Sequence, residues 1–531
     1  MGTDGPVGTD APIAALGADG PASTDGLGRR AARGAAATLV GQAVRVMIQL
    51  GGLVVLGRIL DPKDYGILAA VTAFIGVGDL LRDFGLSSAA VQAKTLTLAQ
   101  RTNLFWLNTG IGVILAVATF CSASPIASFY HNPHIAGVVR SLAVIFILDG
   151  MATQYRADMI RNLKFGRLAM VDIVAQGTGL IVGVVLGLAH YHYHALVAQQ
   201  LVQAAVAVLA VVGIARWVPR LPRRHVPMRA FIGFGVNLMA TQLLTYFSRN
   251  VDSLTVGHRF GPRVLGIYNR AFQLLTLPLN QLNAPALQVA LPILSRLQDQ
   301  PAKFAAFVVR GQLVLLNISL VLFAGLGSQA RPLLPLVFGH QWSGSVPIFQ
   351  ILAVGGIFQA AGFSVYWIFL SKGMTRSSLR YSLTIRPIAI ALIIGGSIWG
   401  VRGVASGYAL GVILAWPVGL WWVGRVADAP AGQLLRSGLR SILAYATTAV
   451  VAAVVPRLLV HAAIAQAGLG IVVLVATFAA IVALWPAFRR DVQEVWATAQ
   501  LLRGGRAAVE ASLEPRGRAA QAGASGRHRR N

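Results

Sequence analysis

Fourteen apolar stretches follow one another along this chain of 531 residues, and they restrict its possible folds more than any other feature. Each is close to the ~20 residues that an α-helix needs to cross the hydrocarbon core of a bilayer. The runs are continuous and do not alternate as the strands of an outer-membrane barrel do. Because lipid offers no partner for a free backbone group, only a helix satisfies the backbone of such a run. The sequence therefore predicts an all-α polytopic membrane protein.

The composition agrees with this fold class. Hydrophobic residues make up 56% of the chain and charged residues 12%, where soluble domains have roughly 25% charged residues. This excludes a soluble enzyme and a disordered chain, and a single cysteine excludes a disulfide scaffold. We place the apolar segments at 37–57, 66–90, 103–123, 137–155, 168–189, 195–215, 230–256, 266–292, 305–326, 346–370, 381–400, 403–424, 440–460 and 464–486.

The basic residues indicate how these segments are oriented. With fourteen helices and a cytoplasmic N-terminus, the loops on the inside, counted with Arg440, hold 19 Lys and Arg, and those on the outside hold seven. Cytoplasmic loops accumulate Lys and Arg, so both termini are predicted to be cytoplasmic. In a soluble protein the formal net charge of +27 would indicate nucleic-acid binding. Here the membrane explains it, and no nucleic-acid partner is expected.

A short motif occurs twice in the chain. GRILDPKDYGI at 57–67 and GHRFGPRVLGI at 257–267 share four residues at an offset of 200 positions. Both copies lie at the outer end of the first helix of a six-helix block, so they have the same orientation. A repeat of this kind predicts a pseudo-two-fold axis along the membrane normal, as in transporters built from parallel halves. The alternative is two Gly-Pro turns that arose independently.

Several longer stretches resemble the polysaccharide-flippase family, and within it the colanic-acid-exporter branch related to Wzx proteins. The resemblance extends over 37–425. The stretches that carry it are LGRILDPKDYGILA (56–69), DFGLSSAAVQ (83–92), LFWLN (104–108), ALVAQQL (195–201), RNVDSLTVGHRFG (249–261), LGIYNRAFQLLTLPL (265–279) and LPILSRLQDQ (291–300).

The resemblance implies two six-helix lobes that face a central cavity, within the multidrug/oligosaccharidyl-lipid/polysaccharide exporter superfamily. It also implies a substrate, an undecaprenyl-pyrophosphate-linked oligosaccharide moved across the bacterial inner membrane. The division that we expect is a disordered cytoplasmic N-tail at 1–36, an N-lobe at 37–215, a basic inter-lobe loop at 216–229, a C-lobe at 230–424, two further helices at 425–488 and a basic cytoplasmic C-tail at 489–531.

Charged residues inside the predicted helices are the candidate site residues, because each costs about 2.5–3.5 kcal/mol at the bilayer centre unless it is paired or hydrated. The segments that begin each six-helix block contain Arg45, Asp79, Arg82, Asp83, Arg249, Asp252 and Arg270. A guanidinium binds phosphate oxygens through a planar fork. Arg45, Arg270 and Arg249 are therefore the candidate substrate ligands of a cationic cavity, and Arg45 has no carboxylate three or four positions away.

The same charges could instead pair with one another. Asp79 and Arg82 are three residues apart, as are Arg249 and Asp252, and this spacing places each pair on one helical face. The carboxylates of Asp79, Asp83 and Asp252 could also bind H⁺ or Na⁺ and couple transport to a gradient. The sequence leaves internal pairing and ion coupling open.

Two polar clusters complete the candidates. Asn280, Gln281 and Asn283 are predicted, with Pro285, to interrupt the eighth segment and line the cavity, or alternatively to connect helices by hydrogen bonds. The HYHYH sequence at 190–194 has alternate histidines, as a metal site would. We favour a short outer turn whose tyrosines lie at the membrane interface, and expect no metal.

The sequence therefore favours a lipid-linked oligosaccharide flippase that works by alternating access. No G-x-x-x-x-G-K-[ST] loop occurs, so no ATP or other cofactor is expected. Membrane lipids and a glycan polymerase or export machinery are the expected partners. One alternative is a multidrug or small-molecule cation antiporter of the same superfamily. A membrane glycan polymerase or ligase is another, although the outer loops are short for a catalytic function.

The orientation can be tested by labelling single cysteines in a chain whose Cys121 is replaced by serine. Tyr191→Cys should react with an impermeant thiol reagent in intact cells and Val218→Cys should not, because the loop at 216–229 holds five arginines and the loop at 190–194 has no Lys or Arg. The opposite labelling pattern would show that the orientation is inverted.

Overall fold

The computed structural model describes residues 24–83, 97–215, 217–222 and 229–504, and every long regular element in these ranges is an α-helix. Short 3₁₀ turns occur at His340–Trp342 and Ser397–Trp399. The helices are α1 (Thr24–Ile59), α2 (Pro62–Asp83), α3 (Leu98–Cys121), α4 (Ala123–Phe129), α5 (His134–Arg161), α6 (Phe165–Leu188), α7 (Tyr193–Ile214), α8 (Arg229–Arg296), α9 (Pro301–Ser328), α10 (Ala330–Phe338), α11 (Ser345–Ser371), α12 (Thr375–Gly396), α13 (Gly400–Val426), α14 (Ala431–Leu459), α15 (Ala463–Leu484) and α16 (Pro486–Gly504).

The helices follow the apolar segments that the sequence predicts. Each predicted segment overlaps a helix over its described residues, and α8 contains two of them. Within the described ranges, eleven stretches are long and apolar enough to cross a membrane, and one of these, Thr375–Val426, contains both α12 and α13. The prediction of an all-α, multi-pass membrane protein is confirmed.

Gly261 divides α8 into its two predicted segments. Its φ of 78° and ψ of 176° are not helical. A positive φ of this kind is open to glycine because glycine has no Cβ. The residue lies within the second copy of the repeated motif, so the sharp change of direction occurs where the sequence predicts a turn.

The chain packs as two units. The first consists of the described residues up to Asn250 together with Gly261–Gly266, and the second of Val251–Phe260 and the described residues from Ile267 onward. Each unit buries its own apolar side chains. Examples are Phe105, Tyr155 and Val211 in the first unit, and Phe323, Trp342 and Trp416 in the second. The lobe boundary predicted at 216–229 stays a prediction, and residues 216 and 223–228 of that loop lie outside the described ranges.

Both ends of the described chain are more helical than the sequence predicts. Helix α1 begins at Thr24, inside the predicted tail 1–36, and residues 1–23 lie outside the described ranges. Helix α16 occupies the start of the predicted tail at 489–531, of which 505–531 are not described. Arg440 on α14 holds this helix by a forked ion pair, since its Nε and Nη2 lie 2.5 and 2.6 Å from the two carboxylate oxygens of Asp491.

The two copies of the repeated motif contact each other within the first unit. A Cβ atom added to Gly66 would overlap the carbonyl oxygen of Pro262, and one added to Gly266 would overlap the carbonyl oxygen of Pro62. The contact is reciprocal, and the four residues are related in pairs by the 200-residue offset of the repeat. Backbones approach this closely only where glycine leaves room.

Replacing either glycine by alanine should therefore destabilise the protein. For Gly66→Ala and Gly266→Ala we expect the free energy of unfolding to fall by about 1–3 kcal/mol, because main-chain atoms must move to make room. Thermal unfolding of the purified protein in detergent measures the effect. Gly51→Ala is the matched control, since nothing lies within 4 Å of its added Cβ. Equal unfolding temperatures for all three variants would contradict the contact.

Candidate functional site

Asp172 on α6 binds two arginines in the first unit. Nη1 of Arg45 on α1 lies 2.7 Å from Oδ2 of Asp172, and Nη2 of Arg156 on α5 lies 2.8 Å from Oδ1. Arg45 also donates a hydrogen bond to the side-chain oxygen of Gln42. Two positive charges share one negative charge, so this Arg45–Asp172–Arg156 triad carries one excess positive charge.

The arginines of the triad are more accessible than the carboxylate between them. Their side chains are 35% and 34% exposed, whereas that of Asp172 is 17% exposed. Each guanidinium has five N–H donors, and the triad uses only some of them. The accessible donors and the excess charge make the triad a site where an anion can bind.

Arg82 on α2 forms a second cluster of the opposite sign. Its Nη1 lies 2.5 Å from Oδ2 of Asp149 on α5 and 3.1 Å from Oδ1 of Asp79. Two carboxylates share one guanidinium, so this Arg82 cluster carries one excess negative charge, and the Asp79 side chain is 45% exposed. The spacing of three residues on α2 does bring Asp79 and Arg82 together. The side chain of Asp83 lies outside the described residues.

Helix α5 contributes to both clusters. Asp149 and Arg156 are seven residues apart on it, which places them on one face about 10 Å apart along the helix axis. A site with excess negative charge and a site with excess positive charge are thus two helical turns apart. Movement of α5 relative to its neighbours would alter both.

The candidate charges of the second unit are enclosed. Asp252 is 2% exposed, and the Tyr268 hydroxyl donates a hydrogen bond to its Oδ2 at 2.7 Å. Arg270 is also 2% exposed, with its guanidinium carbon 4.5 Å from the ring centroid of Trp342 and 5.5 Å from that of Phe338. Arg270 was expected to face a hydrated cavity, but aromatic rings cover it here. The side chain of Arg249, the predicted partner of Asp252, lies outside the described residues.

The polar residues of the eighth segment do not interrupt the helix, which corrects the prediction. The backbone of α8 is non-helical at Gly261 and stays helical through Asn280, Gln281, Asn283 and Pro285. Asn280 is exposed, and Gln281 and Asn283 are half-buried. The non-helical residue of α8 is Gly261, which lies between the seventh and eighth predicted segments and not within the eighth.

His190 and His192 lie in the tight turn between α6 and α7, and His194 lies in the first turn of α7. His190 and His192 have positive φ values of 62° and 48°. The ring centroids of Tyr193 and His194 are stacked 4.1 Å apart. Nδ1 of His192 lies 3.8 Å from the buried Asp64 at the start of α2. Within the described ranges, no three His, Cys, Asp or Glu side chains are grouped as a metal site requires.

Sequence reasoning missed Arg156 and did not identify the partner of Arg45 or the second partner of Arg82. Spacing along one helix cannot reveal Asp172, which is 127 residues from Arg45, or Asp149, which is 67 residues from Arg82. The available signal was the presence of one isolated aspartate in the fourth and one in the fifth apolar segment. Each needs a partner inside the membrane, and the unpartnered arginine of the first segment was a candidate.

Comparison with known proteins identifies relatives in bacterial polysaccharide biosynthesis. A family model described as "Polysaccharide biosynthesis protein" matches residues 55–347. The lipopolysaccharide biosynthesis protein WzxC of Escherichia coli (strain K12) is 29% identical over 378 residues, which are 69% of this chain and 76% of the relative. The teichuronic acid biosynthesis protein TuaB of Bacillus subtilis (strain 168) is 25% identical over 426 residues, 79% of this chain and 87% of the relative.

Solved structures share the fold. The lipid II flippase MurJ in an inward closed conformation has a TM-score of 0.65 at 14% identity, and the match covers 86% of this chain and 99% of that one. An inward-facing multidrug resistance transporter of the MATE family has a TM-score of 0.58 at 14% identity, with 74% and 98% covered. At this identity the likeness shows that this chain shares the α-helical fold of these two proteins.

The shared carboxylate of the triad predicts an unequal response to mutation. Asp172→Asn leaves two guanidinium groups facing each other and should lower the free energy of unfolding by about 1–3 kcal/mol. Arg45→Ala leaves Asp172 paired with Arg156 and should cost less than about 1 kcal/mol. Removing both arginines isolates the carboxylate and should cost more than the sum of the single changes. Thermal unfolding in detergent measures this cycle, and additive losses would contradict the sharing.

Proposed function

Since this chain belongs to the polysaccharide biosynthesis protein family, we propose that it flips an undecaprenyl-pyrophosphate-linked oligosaccharide across the bacterial inner membrane by alternating access. The relatives named for lipopolysaccharide and teichuronic acid biosynthesis support a glycan as the cargo. The flippase with the same fold is named for lipid II, which supports a lipid as part of the cargo. The hydrophobic tail of the substrate stays in the bilayer, and its headgroup crosses through a hydrated path.

The observation that carries the proposal is the excess positive charge of the Arg45–Asp172–Arg156 triad. A pyrophosphate has several negative charges, and a guanidinium binds phosphate oxygens through two parallel hydrogen bonds. The two arginines are held by Asp172 and remain partly exposed. We assign the pyrophosphate to Arg45 and Arg156. The predicted role of Arg270 as a substrate ligand stays a prediction, because aromatic rings enclose this residue.

The sign of this charge also weighs against cation export. A multidrug transporter has the same fold, so the fold alone does not separate the two functions. A cation would be repelled by the triad, whereas an anionic headgroup would be attracted. A glycan polymerase or ligase needs room for a catalytic loop, and the helices from α3 to α7 are joined by segments of only one to four residues. We therefore propose a transporter and not an enzyme.

The proposed setting is the inner membrane with both termini in the cytoplasm. It is supported by the excess of Lys and Arg in the loops assigned to the inside, 19 against seven. A polymerase or export machinery is the proposed consumer of the flipped glycan.

The Arg82 cluster is the proposed coupling site, because its excess negative charge can attract H⁺ or Na⁺ at the exposed Asp79 carboxylate. One charge that crosses the membrane potential supplies about 2.3 kcal/mol per 100 mV.

Substitution of Arg45 tests the proposal in vesicles that contain the purified protein and a lipid-linked oligosaccharide. Arg45→Ala should slow flipping at least about tenfold, since a charge-assisted hydrogen bond is worth about 1.5–3 kcal/mol. Arg45→Lys should recover part of the rate, because it keeps the charge and loses the fork. The rate is measured as substrate that becomes accessible to an impermeant reagent.

The matched control is Arg167→Ala, an exposed arginine at the start of α6. It removes the same charge and should leave the flipping rate within twofold. Unchanged flipping by Arg45→Ala would overturn the ligand role.

In the same vesicles, Asp79→Asn should still flip substrate but lose its response to an imposed ion gradient.

A further inference from the structure

A small polar cavity lies in the first unit, and no residue of the triad or of the Arg82 cluster lines it. It has a volume of about 200 Å³ and is lined by the end of α5, the start of α3, the end of α7 and the residues that follow α7. The lining residues that matter are Arg101, Asp158, Asn162, Lys164 and Trp217. These residues come from loops that the sequence assigns to the inside, at the predicted cytoplasmic end of the helices.

The floor of this cavity is held in place by several contacts. Nη2 of Arg101 lies 2.8 Å from Oδ2 of Asp158, and its guanidinium carbon lies 4.1 Å from the ring centroid of Trp217. The Trp217 ring also packs on Tyr155, with 4.8 Å between centroids. A site with its donors already positioned loses little entropy when a ligand binds.

The donors of the cavity favour an anion. The charges of Arg101 and Asp158 neutralise each other, and the exposed Lys164 adds a positive charge without a salt bridge in the described part of the chain. Nε1 of Trp217 is buried and donates no hydrogen bond to a described residue. The carboxylate of Asp158, the one acidic group of the lining, is already bound to Arg101. An ammonium nitrogen would therefore add to the positive charge of Lys164, while an oxyanion would meet both an ammonium and an indole N–H.

We propose that this cavity binds a phosphate group. A phosphate oxygen accepts from the indole N–H of Trp217 and pairs with the ammonium of Lys164, which binds phosphate as a point charge. The cavity lies at the ends of the helices on the more basic side, where headgroups of anionic lipids are found and basic pockets between helices bind them. A free phosphate has the same chemistry, so the two sources must be separated by experiment.

The experiment uses the full-length protein, purified in detergent and stripped of lipid, without oligosaccharide substrate. Binding of short-chain phosphatidylglycerol, of inorganic phosphate and of a phosphate-free monoacylglycerol is measured by titration. Lys164→Gln and Trp217→Phe should each weaken phosphatidylglycerol binding roughly fivefold to tenfold, since each removes one donor. Arg167→Gln removes an exposed charge that does not line the cavity and should bind within twofold of the unaltered protein.

The titrations distinguish a lipid headgroup from free phosphate as the source of the bound phosphate group. Phosphatidylglycerol binding that excess inorganic phosphate does not displace assigns the site to a lipid headgroup, and displacement assigns it to the phosphate group by itself. The proposal is overturned if Lys164→Gln binds as the unaltered protein does, or if the monoacylglycerol binds as tightly as phosphatidylglycerol. Lys164 is exposed, so this variant tests the proposal even if Trp217→Phe does not fold. No step measures flipping, so failure here is distinct from failure of the proposed function.

Discussion

Hydrocarbon cannot solvate a charge, and each unit of this protein meets that constraint in its own way. In the first unit, ion pairs join helices, with Asp172 between two arginines and Arg82 between two aspartates. In the second unit, Arg270 is covered by aromatic rings and Asp252 accepts a hydrogen bond from a tyrosine. Unequal ion pairs leave residual charge at an accessible surface, whereas enclosure removes the group from contact with a ligand. The accessible excess charge that we propose for the substrate therefore lies in the first unit.

The two unequal clusters also share a structural element. Helix α5 supplies Arg156 to the positive triad and Asp149 to the negative cluster. The remaining members lie on α1, α2 and α6, so a shift of α5 changes distances in both clusters at once. Because the triad is proposed to bind the headgroup and the Arg82 cluster a cation, such a shift would link occupancy of one site to affinity at the other.

The fold was predictable to a greater extent than the site. Every apolar segment is helical over its described residues because burial in lipid leaves the backbone no alternative, and this constraint is local. The pairing of Asp79 with Arg82 was also readable, since both lie on one helix. The partner of Arg45 was not, because Asp172 is distant in sequence and helix packing alone brings the two together. For the same reason the aromatic cover of Arg270 could not be foreseen, since Phe338 and Trp342 come from a different part of the chain. The break at Gly261 had a local signal in the Gly-Pro sequence. The polar residues from Asn280 to Asn283 wrongly predicted a second break, because amide side chains fit within a helix.

The contact between the two copies of the repeated motif limits how the copies can differ in sequence. They share four of eleven positions and differ in charge or size at the others. Gly66 and Gly266 are each closed off by the main chain of the other copy. A carbonyl group is present whatever residue bears it, so no side-chain change in one copy makes room for a larger residue in the other. The two positions are therefore fixed as glycine by backbone geometry, whatever side chains surround them.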